Sequence, residues 1–503
     1  MYEPRLISGR REDVPHKARG PGADAVAHPL PWLASVAVAF TLVQLAVVVP
    51  GLGLGWDETV YVSQVSPQAP AAFFSAPRAR GISFLVAPVA ALTTSTLALR
   101  VCLALLAGCG LFGALWVWRR LLPAPALGVA GALFASLWVT LFYGPQAMPN
   151  LWVAYGALAA VGCFLRAARD PSDRRALIGL GGGVALAALM RPTDALWLAL
   201  PLAVAVLLVR ARRRLLPVMV LAAGLALGWA EWIIEAYVRY DGLLARLRRA
   251  SEIQGRLGGY FAVDDHVRAL GGRTLCRPCD VPWRYPATAL WFFALPLLVA
   301  GGVWAGVRAR RRAELVLATV AGLCLAAPYL FTVGYAAPRF LLPAYALLSL
   351  PVAYCLLLLW RARTRWRPAA VGLLAIAAAG HLAVQYRVLD GVADRVRADT
   401  ATHTRIAAEL RTLGVRPPCV VTGEEAVRVA FRTGCASRQP GGHDASITSD
   451  ALAAAALRHP VVVLLSGERR PPSYARLWRV HRLPELGQRA GYRAYVSPER
   501  RSR

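Results

Sequence analysis

The chain has 503 residues, 57% hydrophobic and 17% charged, and a mean hydropathy of +0.47, too long and too apolar for one soluble domain. Its formal charge is +29, from 57 basic and 28 acidic residues, and Lys17 is the lone lysine. A charge this large often signals nucleic-acid binding, but many of the arginines lie in short connections between apolar runs, where they read as membrane anchors, so we expect no nucleic-acid partner. The Arg- and Ala-rich composition suggests a GC-rich bacterial genome.

In chain order, a basic tail (1–30) leads into an apolar run at 31–52 with no small-residue cleavage site, so that run reads as a retained helix. Further apolar runs follow at 98–118, 124–143, 148–165, 176–190, 193–209, 215–237, 286–307, 314–332, 340–360 and 368–386. About 20 apolar residues cross a bilayer as helix, which gives about eleven spans. The stretch 81–96 is shorter, carries a Thr/Ser cluster, and reads as interfacial or re-entrant. Arginines concentrate at Arg119–Arg120, RAARDPSDRR (166–175), RARRR (210–214), RARRR (308–312) and RARTRWR (361–367), at every second connection. The short connections YGPQAMPN (143–150) and TVGYAAP (332–338) carry none. Basic short loops stay in the cytoplasm. The pattern therefore predicts a multi-pass cell-membrane protein with its N-terminus cytoplasmic. Loops 53–80 and 238–285, the turn at Arg191 and everything after about 387 are expected outside.

After 387 the apolar runs shorten. IAAELRTLGV (406–415), EEAVRVAFRTG (424–434) and SDALAAAALRH (449–459) read as helices, and PCVVTG (418–423), PVVVLLSG (460–467) and YRAYVS (492–497) as strands. Alternating elements predict a small α/β domain with a largely parallel sheet. It has no GxGxxG or P-loop pattern, so no nucleotide site is assigned. The fold class expected is an α-helical polytopic membrane protein: tail 1–30, membrane domain 31–386, extracytoplasmic α/β domain 387–503. Cys102, Cys109, Cys163, Cys324 and Cys355 lie in apolar runs, while Cys276, Cys279, Cys419 and Cys435 are expected outside, where disulfides form. Their pairing stays open.

The chemistry-bearing residues gather on the outer side. Asp57 and Glu58 follow the first span, and carboxylates at membrane depth are functional candidates. Being adjacent, they point in different directions, which suits either one acting on a substrate while the other orients a partner, or a solvated polar cap after the helix. Tyr61 is one helical turn on. Arg78 and Arg80 precede an apolar segment and suit either a headgroup-level phosphate or interfacial anchoring. Arg191 and Arg339 interrupt apolar sequence at outer helix ends; Arg339 reads as a phosphate or acceptor ligand, and Arg191 as the same or as a partner of Asp194. Glu231 and Glu235 lie four apart and are expected to pair with outer arginines or line the cavity. The segment 239–261 contains a basic amphipathic helix suited to anionic headgroups or a polyanionic substrate.

Over roughly 31–390 these features resemble the C-type glycosyltransferase (GT-C) superfamily, nearest the protein O-mannosyltransferase and lipid A aminoarabinose transferase branch. The marks are WDETVY (56–61), PRARGISFLVAPVAAL (77–92), MPNLWVAYGALAA (148–160), ALMRPTDALWLALP (189–201) and PRFLLPAYALLSLP (338–351), in that order. The resemblance implies a membrane enzyme that moves a sugar from a polyprenyl-phosphate donor to an envelope glycan, lipid or protein acceptor, inverting the anomeric carbon. It implies Asp57 and Glu58 as the catalytic motif. Tyr61, Arg78, Arg80, Arg191, Glu235 and Arg339 are the substrate-side candidates, with Arg339 on the donor phosphate. Asn150 stands where relatives often carry an acidic residue, and the first loop lacks the family's usual His, so a divalent metal stays an open expectation. Two other classes remain on the sequence: a transporter or flippase of lipid-linked substrates, and a non-catalytic envelope-assembly scaffold. Membrane lipids are expected partners in every case.

Overall fold

The computed structural model describes residues 28–207, 215–283, 285–361, 367–483 and 491–498. The tail before residue 28, the RARRR loop at 210–214 and most of the RARTRWR loop lie outside the described residues. Among the described residues, eight helices are long and apolar enough to cross a membrane: Pro29–Val48, Thr96–Arg120, Asn150–Arg169, Leu215–Arg239, Pro286–Arg308, Arg312–Phe331, Pro338–Trp360 and Arg367–Thr412. Shorter apolar helices are Gly81–Ala90, Ala124–Ala135 and Pro192–Leu207. Gly81–Ala90, with 10 residues, reaches about 15 Å, half the hydrocarbon thickness. The expected span 124–143 is two helices, Ala124–Ala135 and Trp138–Tyr143, because Leu137 turns extended. The Trp138 amide at this break donates to Gln385 Oε1 at 2.8 Å.

Asn150–Arg169 runs through the middle of the bundle, with 83% of its apolar window buried. It packs on Arg174–Met190 through small residues: a Cβ on Gly183 would lie 2.7 Å from the Gly156 carbonyl oxygen. Close backbone approach of this kind is how membrane helices gain dispersion contacts without a hydrophobic driving force. Asp173 caps the second helix by accepting from the Ala176 amide at 3.0 Å.

Alternate connections gather at opposite ends of the bundle, as the arginine pattern predicts. At one end Arg169 pairs with Glu314, and Arg311 pairs with the same carboxylate at 3.4 Å, so loops 166–175 and 308–312 meet. At the other end the long loop 238–285, itself Arg-rich, meets the Arg-free connection 332–338 and the helix end before it. The Ala262 amide donates to the Leu330 carbonyl at 2.9 Å, and Cys276 and Ala336 exchange backbone hydrogen bonds of 2.8 and 3.2 Å.

The boundary expected at 387 falls inside a single helix of 46 residues, Arg367–Thr412. No proline interrupts it, so it leaves the apolar zone and carries Ile406 and Leu410 into the core of the C-terminal domain. There β1 (Val420–Gly423), β2 (Ala436–Ser437), β3 (Val461–Ser466), β4 (Arg479–Arg482) and β5 (Tyr492–Val496) form one sheet in the order β2-β1-β3-β5-β4. The β2-β1-β3 half is parallel; β5 runs antiparallel to both β3 and β4, so the sheet is mixed rather than largely parallel. Its central strand β3 is a continuous apolar run because both faces are covered. The domain sits on the loop 53–80: Val427 and Phe431 of helix Ala426–Thr433 join the membrane-domain core, and Gln68 donates to the Phe431 carbonyl at 3.0 Å. The four cysteines expected outside form Cys276–Cys279 and Cys419–Cys435 disulfides.

Candidate active site

The short helix Trp56–Ser63 turns one carboxylate inward and the other toward the loops. Glu58, at its third position, reaches back to the Gly55 amide at 2.9 Å, the acidic half of a capping box. Its oxygens also take both terminal nitrogens of Arg100, one at 2.8 Å, and the Ala147 amide at 2.7 Å. Arg100 donates onward to the Gly53 carbonyl at 2.5 Å and the Pro145 carbonyl at 2.8 Å. The pair is buried, with Glu58 2% and Arg100 0% exposed, and it bolts loops 53–58 and 145–147 to the helix Thr96–Trp116.

Asp57 faces away from that pair and is held by two other arginines. Arg78 Nη2 donates to Oδ1 at 2.8 Å and Arg339 Nη2 to Oδ2 at 3.0 Å. The acid is 35% exposed while the two arginines are 12% and 11% exposed, so the carboxylate is the open face of a cationic wall. Burial raises the Asp57 pKa, but Arg78 and Arg339 outweigh it and hold the carboxyl below its usual range. Arg339 is fixed from behind by the Thr274 carbonyl at 3.0 Å and the Tyr143 hydroxyl at 3.4 Å. Arg191 completes the cluster. It pairs with buried Asp194 at 3.0 Å and donates to the Tyr329 hydroxyl at 2.7 Å, and it lies close enough to Asp57 to favour its ionised form. Tyr61, four residues after Asp57 and therefore on the same helix face, is buried; burial raises its pKa and keeps the phenol protonated.

Arg80 and Glu235 belong to a neighbouring network instead. Arg80 donates to Glu235 at 2.6 Å and pairs with Glu231 at 3.4 Å. Arg246, from the loop helix Leu243–Ile253, takes the other Glu235 oxygen at 2.8 Å and donates to the Ala76 and Arg78 carbonyls at 3.1 and 3.0 Å. This network holds the 76–80 turn from the rear and so aims Arg78. The sequence candidates therefore divide: Asp57, Tyr61, Arg78, Arg191 and Arg339 meet, Arg80 and Glu235 brace them, and Glu58 anchors the motif.

Four contributors escaped sequence reasoning. Arg100 carried a signal, a lone charge inside TLALRVCLALL. Arg246 is indistinguishable by sequence from its exposed neighbours Arg248 and Arg249. Tyr143 and Asp444 had no local mark; Asp444 reaches the site from the C-terminal domain, at 3.4 Å from Arg78 Nη1 and 3.2 Å from Trp56 Nε1.

The donor set suits an anion. A divalent cation beside Asp57 would meet guanidinium charge on several sides, and both Asp57 oxygens are already taken. Among the described residues no group of three His, Cys, Asp or Glu side chains is set to hold an ion. These residues do not fit a resident divalent metal.

No family model matches this sequence, and no curated protein matches it. The chain is similar in structure to ArnT from Cupriavidus metallidurans bound to undecaprenyl phosphate, with a TM-score of 0.61 at 14% identity over 93% of this chain and 100% of that one. It matches the apo state of the same protein equally, at 0.61 and 14% over 93% and 99%. At that identity the likeness speaks for architecture. The helix bundle with the small domain seated above it is the architecture this chain shares with those structures.

Proposed function

We propose that this chain is an integral-membrane glycosyltransferase that moves a sugar from a polyprenyl-phosphate donor to an envelope acceptor, with inversion, at the outer face. The observation that carries the reading is Asp57 held between Arg78 and Arg339, a partly open carboxylate on a buried cationic wall. ArnT, which shares the fold, has been captured with undecaprenyl phosphate. The Arg-rich connections at the far end support a cytoplasmic position for that end. Disulfides in loop 276–279 and in the C-terminal domain support an oxidising compartment for the site. The charged groups cluster at one end of the bundle, whereas transporter sites lie near the midplane.

The chemistry follows from the charges. The donor phosphate takes guanidinium hydrogens from Arg78 and Arg339, which are then shared less with Asp57. Relieved of that pairing, Asp57 becomes a better base and accepts the proton of the acceptor hydroxyl. The acceptor oxygen bonds to the anomeric carbon as the bond from that carbon to the phosphate oxygen breaks. The electron pair leaves on the lipid phosphate, where the arginines stabilise the growing charge. One displacement inverts the centre, and the proton rests on Asp57. Tyr61 lines the wall as a neutral hydrogen-bonding group. Glu58, Arg80, Glu235 and Arg191 are positioning residues in this scheme.

The test is transfer of labelled sugar from lipid donor in nanodiscs. Asp57→Asn should lower transfer by about 100-fold or more, within the range for general-base catalysis, and keep donor binding. Arg339→Ala should weaken donor binding first, through loss of a charge-assisted contact. Near-normal transfer by Asp57→Asn would remove the base from the scheme.

A further inference from the structure

The C-terminal domain places a carboxylate inside the anion site. Asp444 lies on the loop Gln439–Ser446, 18% exposed, with Oδ1 3.4 Å from Arg78 Nη1 and Oδ2 accepting from the Trp56 indole at 3.2 Å. Arg78 is thus shared between Asp57 and Asp444, with Ser75 Oγ as a further acceptor at 2.5 Å. With Asp444 in place, three guanidiniums (Arg78, Arg191, Arg339) face three carboxylates (Asp57, Asp194, Asp444). Remove Asp444 and the cluster has one uncompensated positive charge, which a lipid phosphate can neutralise.

The loop has a fixed base and an open tip. At its root the Gln439 side chain bridges β1, donating to the Gly423 carbonyl at 2.8 Å and accepting from the Gly423 amide at 3.3 Å. Gln439 and Ser446 close the root with bonds of 3.2 and 2.9 Å. The tip is different. Gly441 and Gly442 have no heavy atom within 4 Å of an added Cβ, Gly442 has φ +78, and His443 is exposed. What holds the tip down is the Asp444 contact itself, one long ion pair and one indole hydrogen bond.

We propose that Asp444 is a displaceable counter-ion: it occupies Arg78 while no lipid phosphate is bound and yields to the phosphate of an isoprenyl carrier, so that loop 439–446 lifts when the donor enters. This rests on the anion-site reading above and gives the C-terminal domain a role, reporting donor occupancy at the place where an acceptor approaches. An ion pair of this length in a partly exposed site is weak, as an exchangeable partner must be. A bidentate guanidinium–phosphate contact replaces it with a stronger one.

The test uses the full chain in nanodiscs with farnesyl phosphate as the probe. Asp444→Asn keeps the acceptor for the Trp56 indole and removes the charge, and it should bind farnesyl phosphate about tenfold more tightly than the native chain. Arg78→Gln should lose most binding. Hydrogen exchange of the 439–446 amides should speed up on saturation with farnesyl phosphate and stay unchanged with inorganic phosphate at the same concentration. Equal or weaker binding by Asp444→Asn, with Arg78→Gln impaired, overturns the counter-ion role and leaves the anion site standing. Normal binding by Arg78→Gln, or none by the native chain, overturns both. Unchanged or slower loop exchange overturns the lifting, and an equal response to inorganic phosphate overturns the assignment to a lipid carrier.

Discussion

Adjacent carboxylates in one motif have opposite physical situations here. Successive helical residues point about 100° apart, so Glu58 turns into Arg100 and the loop amides while Asp57 turns to the open cluster. Glu58 is 2% exposed and its partner 0%, so removing its charge strands a buried guanidinium. Breaking a buried pair this way costs roughly 3–5 kcal/mol. Glu58→Gln should therefore lower the thermal unfolding midpoint of the purified protein by clearly more than Asp57→Asn, whose site is 35% open. Equal midpoints would show that Arg100 finds other acceptors. Sequence reasoning singled out both acids because charge beside an apolar run is conspicuous. It could not see Arg246 or Asp444 as part of the site, because only tertiary packing selects one arginine of three on a helix, or one aspartate in a PGGHDAS loop.

At the scale of elements, the loop after the basic helix does positional work through its backbone. The Cys276–Cys279 disulfide closes CRPC, Cys276 pairs with Ala336, and Thr274 offers its carbonyl to Arg339 at 3.0 Å. Opening this ring by Cys276→Ser with Cys279→Ser should weaken farnesyl phosphate binding several-fold, because Arg339 loses a fixed acceptor. Cys419→Ser with Cys435→Ser should lower the unfolding midpoint instead, since both sulfurs lie in the C-terminal core. Identical effects of the two pairs would contradict this division. The neighbouring helix Val263–Ala269 adds a pH effect. His266 is buried, and burial pushes its pKa down from 6.5 to about 4. Between those values the unfolded chain holds the extra proton, so stability is complete above about 6.5 and falls as pH drops toward 4, by roughly 3 kcal/mol at most. His266→Phe should flatten the dependence of the unfolding midpoint between pH 7 and pH 5. Helix periods were legible wherever apolar runs were long. The break at Leu137 and the edge strand β4, whose RVHR carries no apolar alternation, were not, because each depends on partners elsewhere in the fold.

For the whole molecule, the decisive property is that its two ends differ. Arg169 and Arg311 converge on Glu314 at one end, and Asp57, Arg78, Arg191 and Arg339 converge at the other, beneath the C-terminal domain. Short basic loops are retained in the cytoplasm, so the proposed topology has Ser172, in the 166–175 loop, inside and His443, at the tip of the Asp444 loop, outside. The 46-residue helix Arg367–Thr412 makes the prediction sharp. At 1.5 Å per residue it is about 70 Å long, so it crosses a hydrocarbon core of about 30 Å once and has length left to rise into the domain it carries. An impermeant maleimide applied to intact cells should therefore label His443→Cys and leave Ser172→Cys unlabelled until the membrane is opened. Reversed labelling would put Asp57 and its arginines on the cytoplasmic side, where a donor presented at the outer surface never reaches them, and the proposed reaction would fail as a whole.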